Sequence, residues 1–163
     1  MPFKHPPPFH SGPDMPHPYF GSQPSPEDIN RRIEGFPSWY EVDLDNIEFN
    51  LVQIKKLTDA EIIPCVKNNA YGHGQIPVVA HLEDLGIGRV LVAKLREALQ
   101  MRRKGLNCDI VSMDPLFSDE NFEDVVEHGI TQTVYTNPVA ERLSATASRL
   151  GETARVFVKI DTG

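Results

Sequence analysis

The stretch RVLVAKLREALQMRRKGLNCDIVSM, residues 89–113, decides the fold. It opens on a short apolar run, Arg89–Ala93, and continues as a helical segment over Leu95–Lys104. It meets Gly105 and returns to an apolar run at Asp109–Met113. A glycine in that place stops a helix, because it takes the left-handed conformation that other residues resist. The same phrase repeats in both directions. Upstream, Ile62–Val66 ends on Lys67 and precedes a helix over about Ile76–Leu85. Downstream, a helix near Glu120–His128 stops at Gly129, and strand Gln132–Tyr135 leads into a helix from about Pro138 to Leu150. Gly151 stops that helix, and Arg155–Ile160 is the last strand. Strand starts near 62, 89, 109, 132 and 155 lie 20 to 27 residues apart. Short apolar strands alternating with helices predict βαβ units and a parallel sheet, and burial on both sheet faces accounts for the nearly continuous apolar runs.

Two architectures carry such a sheet, a doubly wound open sheet and a (β/α)8 barrel. No GxGxxG or GxxxxGK[ST] follows the first strand, which counts against the nucleotide-binding open sheets. A complete barrel takes about 250 residues, whereas residues 39 to 163 number 125. The expected fold is therefore α/β, the first half of a (β/α)8 TIM barrel with about five parallel strands.

Two domains are expected. Ten of the 14 prolines lie in residues 1–38, a segment predicted to be a disordered or polyproline-like tail. Its histidines His5, His10 and His17 are irregularly spaced and lack nearby Cys or paired acids, so no metal site is expected. From Trp39 the pattern changes. Trp39–Leu44 alternates like a half-buried strand, and Asp45 three residues before Glu48 reads as a capping box ahead of Ile47, Leu51 and Ile54.

Composition narrows the function. The net charge of -7, from 23 acidic and 16 basic residues, argues against gripping a phosphate backbone, so no nucleic-acid partner is expected. Apolar residues are 40% of the chain, yet no run approaches the roughly 20 residues of a membrane span. The N-terminus has no apolar stretch of the signal-peptide kind, and two cysteines, Cys65 and Cys108, suit a reducing compartment. A cytoplasmic location is expected.

Chemistry concentrates in VKNNAYGHG, residues 66–74. Strand alternation puts Ile63, Cys65 and Lys67 on one face. If that face lines a barrel, Lys67 projects into the C-terminal mouth, where barrel enzymes keep their chemistry. A desolvated amine there loses proton affinity and becomes a carbonyl nucleophile. Tyr71 brings a phenol to an anion beside the amine, and Gly72 and Gly74 let the backbone approach it.

VKNNAYGHG also resembles the pyridoxal-phosphate motif of the alanine racemases, usually VKANAYGHG or VKADAYGHG. WYEVDLDNIEFNL resembles the family's opening strand and helix, VAKLREALQMRRKG its VA…EA…LR…G segment, and VFVKIDTG its VHLKVDTG. The likeness spans about Trp39 to Gly163 in the family's order. It implies that Lys67 forms the internal aldimine with pyridoxal 5'-phosphate and acts as one of two proton-transferring bases, and that Tyr71 hydrogen-bonds the cofactor phosphate. It implies that Lys159 is the lysine many members carry as a carbamate. Phe157, Lys159 and Asp161 share one strand face; an inward lysine is costly as a lone cation, and a CO2 adduct would make it an anion able to pair with arginine, the alternative being a pair with Asp161 or with a neighbouring strand. His73 is expected to bond the loop backbone, Asn68 replaces the usual Ala, Pro64 weakens its strand, and Lys94 is expected to be solvated.

The implied activity is racemisation of L-alanine to D-alanine for peptidoglycan, on a small amino-acid substrate, in a homodimer. The family's later arginines, its C-terminal β domain and the tyrosine that serves as second base have no counterpart in these 163 residues. The chain therefore reads as a fragment, inactive alone. The alternatives are a non-catalytic module that binds pyridoxal phosphate, a decarboxylase of the same fold type, or another amino-acid racemase. The decarboxylases typically lack the YGHG continuation present at Tyr71–Gly74.

Overall fold

A computed structural model describes residues 16–163. The chain order is α1 (Pro18–Gly21), α2 (Pro26–Ile33), α3 (Leu44–Lys55), α4 (Lys67–Tyr71), α5 (Gln75–Asp84), β1 (Arg89–Val92), α6 (Leu95–Arg103), β2 (Asp109–Ser112), α7 (Asp119–Glu127), β3 (Thr131–Val134), α8 (Asn137–Leu150) and β4 (Arg155–Val158). The four strands form one parallel sheet in the order β1-β2-β3-β4, with Arg89 opposite Asp109 and Thr131 opposite Arg155. Each strand lies beside the one before it, as in a barrel, and the α/β expectation holds.

One motif closes α5, α6, α7 and α8. The amide after a left-handed glycine reaches back to a carbonyl in the last turn: Ile87 to Leu82, Leu106 to Met101, Ile130 to Val125 and Glu152 to Ala147. The glycines are Gly86, Gly105, Gly129 and Gly151, all at positive φ. Three of the following residues, Ile87, Leu106 and Ile130, are buried, so each turn seals the bottom of the helix with an apolar plug. The core lies between the sheet and its helices. Val90, Val92, Ile110 and Val134 face Leu95, Ala98 and Met101 of α6, Phe122 and Val125 of α7, and Leu143 and Ala147 of α8. The opposite face is open, with Tyr135 and Phe157 about half exposed.

Three expectations about residues 39–66 need correction. Residues 62–66 form no full strand; they make a single parallel bridge, Cys65 with Leu91. Two ladder bonds survive, Leu91 N–H to the Pro64 carbonyl and Val66 N–H to the Leu91 carbonyl. Pro64 itself has no N–H to add. Trp39–Asp43 lies outside any strand, with Tyr40 almost fully exposed. The cap of α3 is Asp43, whose carboxylate accepts the Asp45 N–H at 2.9 Å, so Asp45 is already inside the helix.

The tail expectation fails over residues 18–33, where α1 and α2 form. Pro18 and Pro26 sit at the first helical positions, where a missing N–H costs nothing, behind the caps His17 and Ser25. His17 is buried. Its Nδ1 accepts from Tyr19 N–H at 3.1 Å, and its Nε2 lies 3.1 Å from Glu83. Its own N–H donates to Asp84 at 2.9 Å. The tail and metal expectations for residues 1–15, with His5 and His10, lie outside the described residues.

The N-terminal ends of the strands share a charged knot. Asp109 accepts from Arg89 Nε at 2.7 Å and from the Thr131 hydroxyl at 2.6 Å, with Arg155 at 3.5 Å. Burial pushes the Asp109 carboxyl up, but the Thr131 and Arg89 hydrogen bonds and the two arginine charges outweigh it, and the group ends below its ordinary value. A carboxylate with a depressed folded-state pKa stabilises above its unfolded pKa and loses that contribution as pH falls through the folded value. Asp109→Asn is therefore expected to cost about 2 kcal/mol at neutral pH. Urea unfolding at several pH values should show wild type and variant converging only as pH falls beneath the ordinary aspartate range and through the depressed native value.

Candidate functional site

The bridge at Cys65 delivers the chain to the C-terminal edge of the sheet, and Lys67 begins α4 there. α4 is not an ordinary helix. Asn68, Asn69, Ala70 and Tyr71 all stand at positive φ, 52°, 57°, 53° and 54°, forming one left-handed turn. Asparagine tolerates that region; alanine and tyrosine pay about 1–2 kcal/mol each to enter it. The conformation is held by side chains. Gln75, buried, donates its amide to the Val66 carbonyl at 2.9 Å, and the Asn69 side chain accepts from Gln75 N–H at 2.8 Å. Glu97 accepts from Asn68 N–H at 2.6 Å. His73 Nδ1 donates to the Ala70 carbonyl at 2.9 Å, so this histidine bonds the loop backbone as expected.

Lys67 is half-buried, and its Nζ lies 5.9 Å from the centre of the Tyr71 ring. The Tyr71 hydroxyl donates to Cys65 Sγ at 3.3 Å. That bond, then slight desolvation and the neighbouring thiol, raise the Tyr71 pKa, so the phenol keeps its proton as a donor. An amine, a phenol and a thiol thus share one corner. Cys65 is exposed, while Cys108 is buried and its thiol pKa is pushed well up by burial and by Glu83. Alkylation of the native chain is expected to mark Cys65 alone, with Cys108 reacting only in denaturant; peptide mass mapping checks this.

Lys159 follows β4 at the same edge, its N–H donating to the Val134 carbonyl at 2.9 Å. With Tyr135 and Asp161 it lines a cavity of about 300 Å³. No ion pair joins Lys159 to Asp161 among the described residues. Lys67 and Lys159 stand at opposite ends of the sheet order, four strand positions apart. Lys67 and Tyr71 are together, and Lys159 follows the strand at the other end of the sheet order. Lys94 is exposed, as expected. Gln75 and Glu97 escape a reading of the sequence, although Glu97, three residues after Lys94, carries the spacing of a helix-capping acid.

An aldehyde cofactor with a phosphate tail needs an amine for its carbonyl and neutral donors for its anion. Lys67 Nζ and the proton-bearing Tyr71 hydroxyl supply that pair from one turn, so the residues fit pyridoxal phosphate.

Comparison with known proteins shows the family. Residues 42–163 match the family model of the alanine racemase N-terminal domain. Alanine racemase 1 of Clostridium acetobutylicum is 38% identical over 130 residues, 78% of this chain and 33% of that protein. The alanine racemase of Methanococcus maripaludis is 35% identical over 129 residues, 78% of this chain and 34% of that protein. The solved alanine racemase of Clostridium difficile 630 superposes with a TM-score of 0.72 at 40% identity, covering 78% of this chain and 34% of its own. The chain thus spans about a third of the length of these relatives. With the family model matched across its sheet and helices, the chain belongs to the alanine racemase family and carries that family's N-terminal domain.

Proposed function

We propose that this chain is the cofactor-bearing part of an alanine racemase, with Lys67 as the covalent attachment point for pyridoxal phosphate and Tyr71 as a phosphate ligand. The observation that carries this is the corner itself: a half-buried amine and a proton-bearing phenol on one strained turn at the C-terminal edge of a parallel sheet. When bound, pyridoxal phosphate supplies an electron sink that makes the α-proton of an amino acid acidic. Lys67 Nζ, set free when the substrate's own amine displaces it from the cofactor, would take or return that proton on one face of the α-carbon. The Tyr71 hydroxyl, which donates to Cys65 here, would donate to a phosphate oxygen and so hold the anion near the amine. Inversion also needs a proton delivered on the opposite face. That group would come from chain outside these 163 residues, in keeping with relatives of which this chain spans a third. In that setting the substrate is L- or D-alanine, the assembly a homodimer, the location the cytoplasm, the product's use peptidoglycan, and Lys159 a carbamate. Among the described residues no helix is long and apolar enough to cross a membrane.

A second reading is a module that binds the cofactor without turnover, for which the amine and phenol of the lysine turn suffice. Both readings share one test. The chain is mixed with limiting pyridoxal phosphate: the amine adds to the aldehyde carbon, water leaves, and borohydride delivers a hydride that fixes the new C–N bond. Peptide mapping should find the adduct on Lys67 in preference to Lys55, Lys56 and Lys104. An adduct spread according to exposure overturns both. Alanine racemisation by the chain alone would reject the second.

A further inference from the structure

Lys67 has a peptide unit on each side, and each is held by a side chain from a different helix. On one side, the Val66 carbonyl accepts the buried Gln75 amide at 2.9 Å, and Gln75 opens α5. On the other, Asn68 N–H donates to Glu97 Oε1 at 2.6 Å, and Glu97 lies in the first turn of α6. The second carboxylate oxygen accepts the Ala93 and Lys94 N–H groups at 3.1 and 3.0 Å. One carboxylate therefore ties the lysine turn to the end of β1 and the start of α6. The two peptide planes flanking a Cα define its φ and ψ, so these bonds fix the direction in which the Lys67 side chain leaves the backbone. Four left-handed residues follow, a conformation that persists only when its surroundings impose it.

We infer that Gln75 and Glu97 are positioning residues for Lys67, aiming its amine into the mouth by clamping both neighbouring peptides. The inference rests on the cofactor reading only for what the amine does, because the clamp itself is a statement about the backbone. A bare helix cap would stabilise α6 and leave Lys67 indifferent. The chemistry separates the two roles. A carboxylate offers acceptors on both oxygens, whereas the amide of Glu97→Gln offers one and turns N–H groups toward N–H groups.

The experiment compares Glu97→Ala, Glu97→Gln and Gln75→Ala with Ser118→Ala. Ser118 caps α7, accepting from Asn121 N–H, and so supplies cap loss away from the site. Melting temperature is recorded for each. Borohydride-trapped pyridoxal phosphate is mapped on Lys67 against exposed Lys104 in the same sample. Amide hydrogen exchange is followed across residues 68–72. For the Gln75 and Glu97 variants, Lys67 labelling relative to Lys104 is expected to fall about tenfold, in line with the cost of small misplacements at reacting groups. Exchange at 68–72 should quicken by a similar factor. Ser118→Ala should change neither at a comparable drop in melting temperature. Equal effects from Ser118→Ala and Glu97→Ala, or unchanged exchange at 68–72, overturn the inference. If wild-type Lys67 labels no better than Lys104, the cofactor reading fails instead, and hydrogen exchange alone decides the clamp.

Discussion

Lys67→Arg is expected to abolish covalent loading of pyridoxal phosphate while leaving the fold in place. A guanidinium keeps the positive charge and an aliphatic stem similar to that of lysine. It stays protonated in proteins, so it has no free nitrogen lone pair to attack an aldehyde. The surroundings tolerate the exchange, because Gln75 and Glu97 bind main-chain atoms on either side of residue 67. The near contact with the Tyr71 ring also suits a guanidinium, which stacks on aromatic faces. Mapping of the reduced adduct should find nothing at position 67, with a melting temperature close to wild type. Lys159→Arg should load as wild type does, since Lys159 stands four strand positions away. Undiminished loading of Lys67→Arg at a single other position would move the attachment site, most tellingly if that position were 159.

Phe122→Ala is expected to remove about 3–5 kcal/mol of stability, the cost of truncating a fully buried aromatic. For a domain whose total stability is of order 5–15 kcal/mol, that brings the chain near its unfolding midpoint. Phe122 is 1% exposed, among the bulkiest fully buried side chains, and sits in the core cluster with Val125, Ile130 and Leu143. It has a second partner. The Arg142 guanidinium lies 4.4 Å from the ring centre and also reaches Asp119 and the Phe117 carbonyl, so the ring anchors α8 to the start of α7. Truncation leaves a cavity and frees that arginine. Urea unfolding should show the midpoint falling sharply. Phe122→Leu, which keeps most of the apolar volume, should recover more than half of the loss. A loss below 1 kcal/mol for Phe122→Ala would mean that α7 and α8 collapse over the gap.

Where the sequence spoke through local rules, it was legible. Gly105, Gly129 and Gly151 marked helix ends to within two residues, because the left-handed C-terminal turn is a property of one residue and its neighbours. The apolar runs at 89, 109 and 132 became strands buried against their helices, and the run at 155, although exposed, became one by pairing with β3. The run at 62–66 looked the same, yet an edge position and Pro64 left it one bridge. Pro18 and Pro26 read as helix breakers and proved to be helix starters, a distinction set by position within the turn. Lys67 and Tyr71 were legible because five residues suffice to place an amine beside a phenol. Glu97 was not, since its bond to Asn68 crosses 29 positions and depends on how β1 and α6 stack against the lysine turn. Gln75 is nearer in sequence, but which carbonyl it meets depends on a reversed backbone hand that no periodicity announces.

The sheet order β1-β2-β3-β4 has a consequence for how this chain is made. Strand starts at 89, 109, 131 and 155 mean that each new strand follows its partner by only 20 to 24 residues. A ribosome adding about 5–20 residues per second releases such a unit roughly every 1–5 seconds. Helices and short loops form in microseconds or less. Each of β2, β3 and β4 therefore emerges to find its neighbour already in place. The nascent chain grows as a ribbon whose leading edge advances toward the C-terminus, and β4, with Val156, Phe157 and Val158 exposed, is the position of that edge at residue 158.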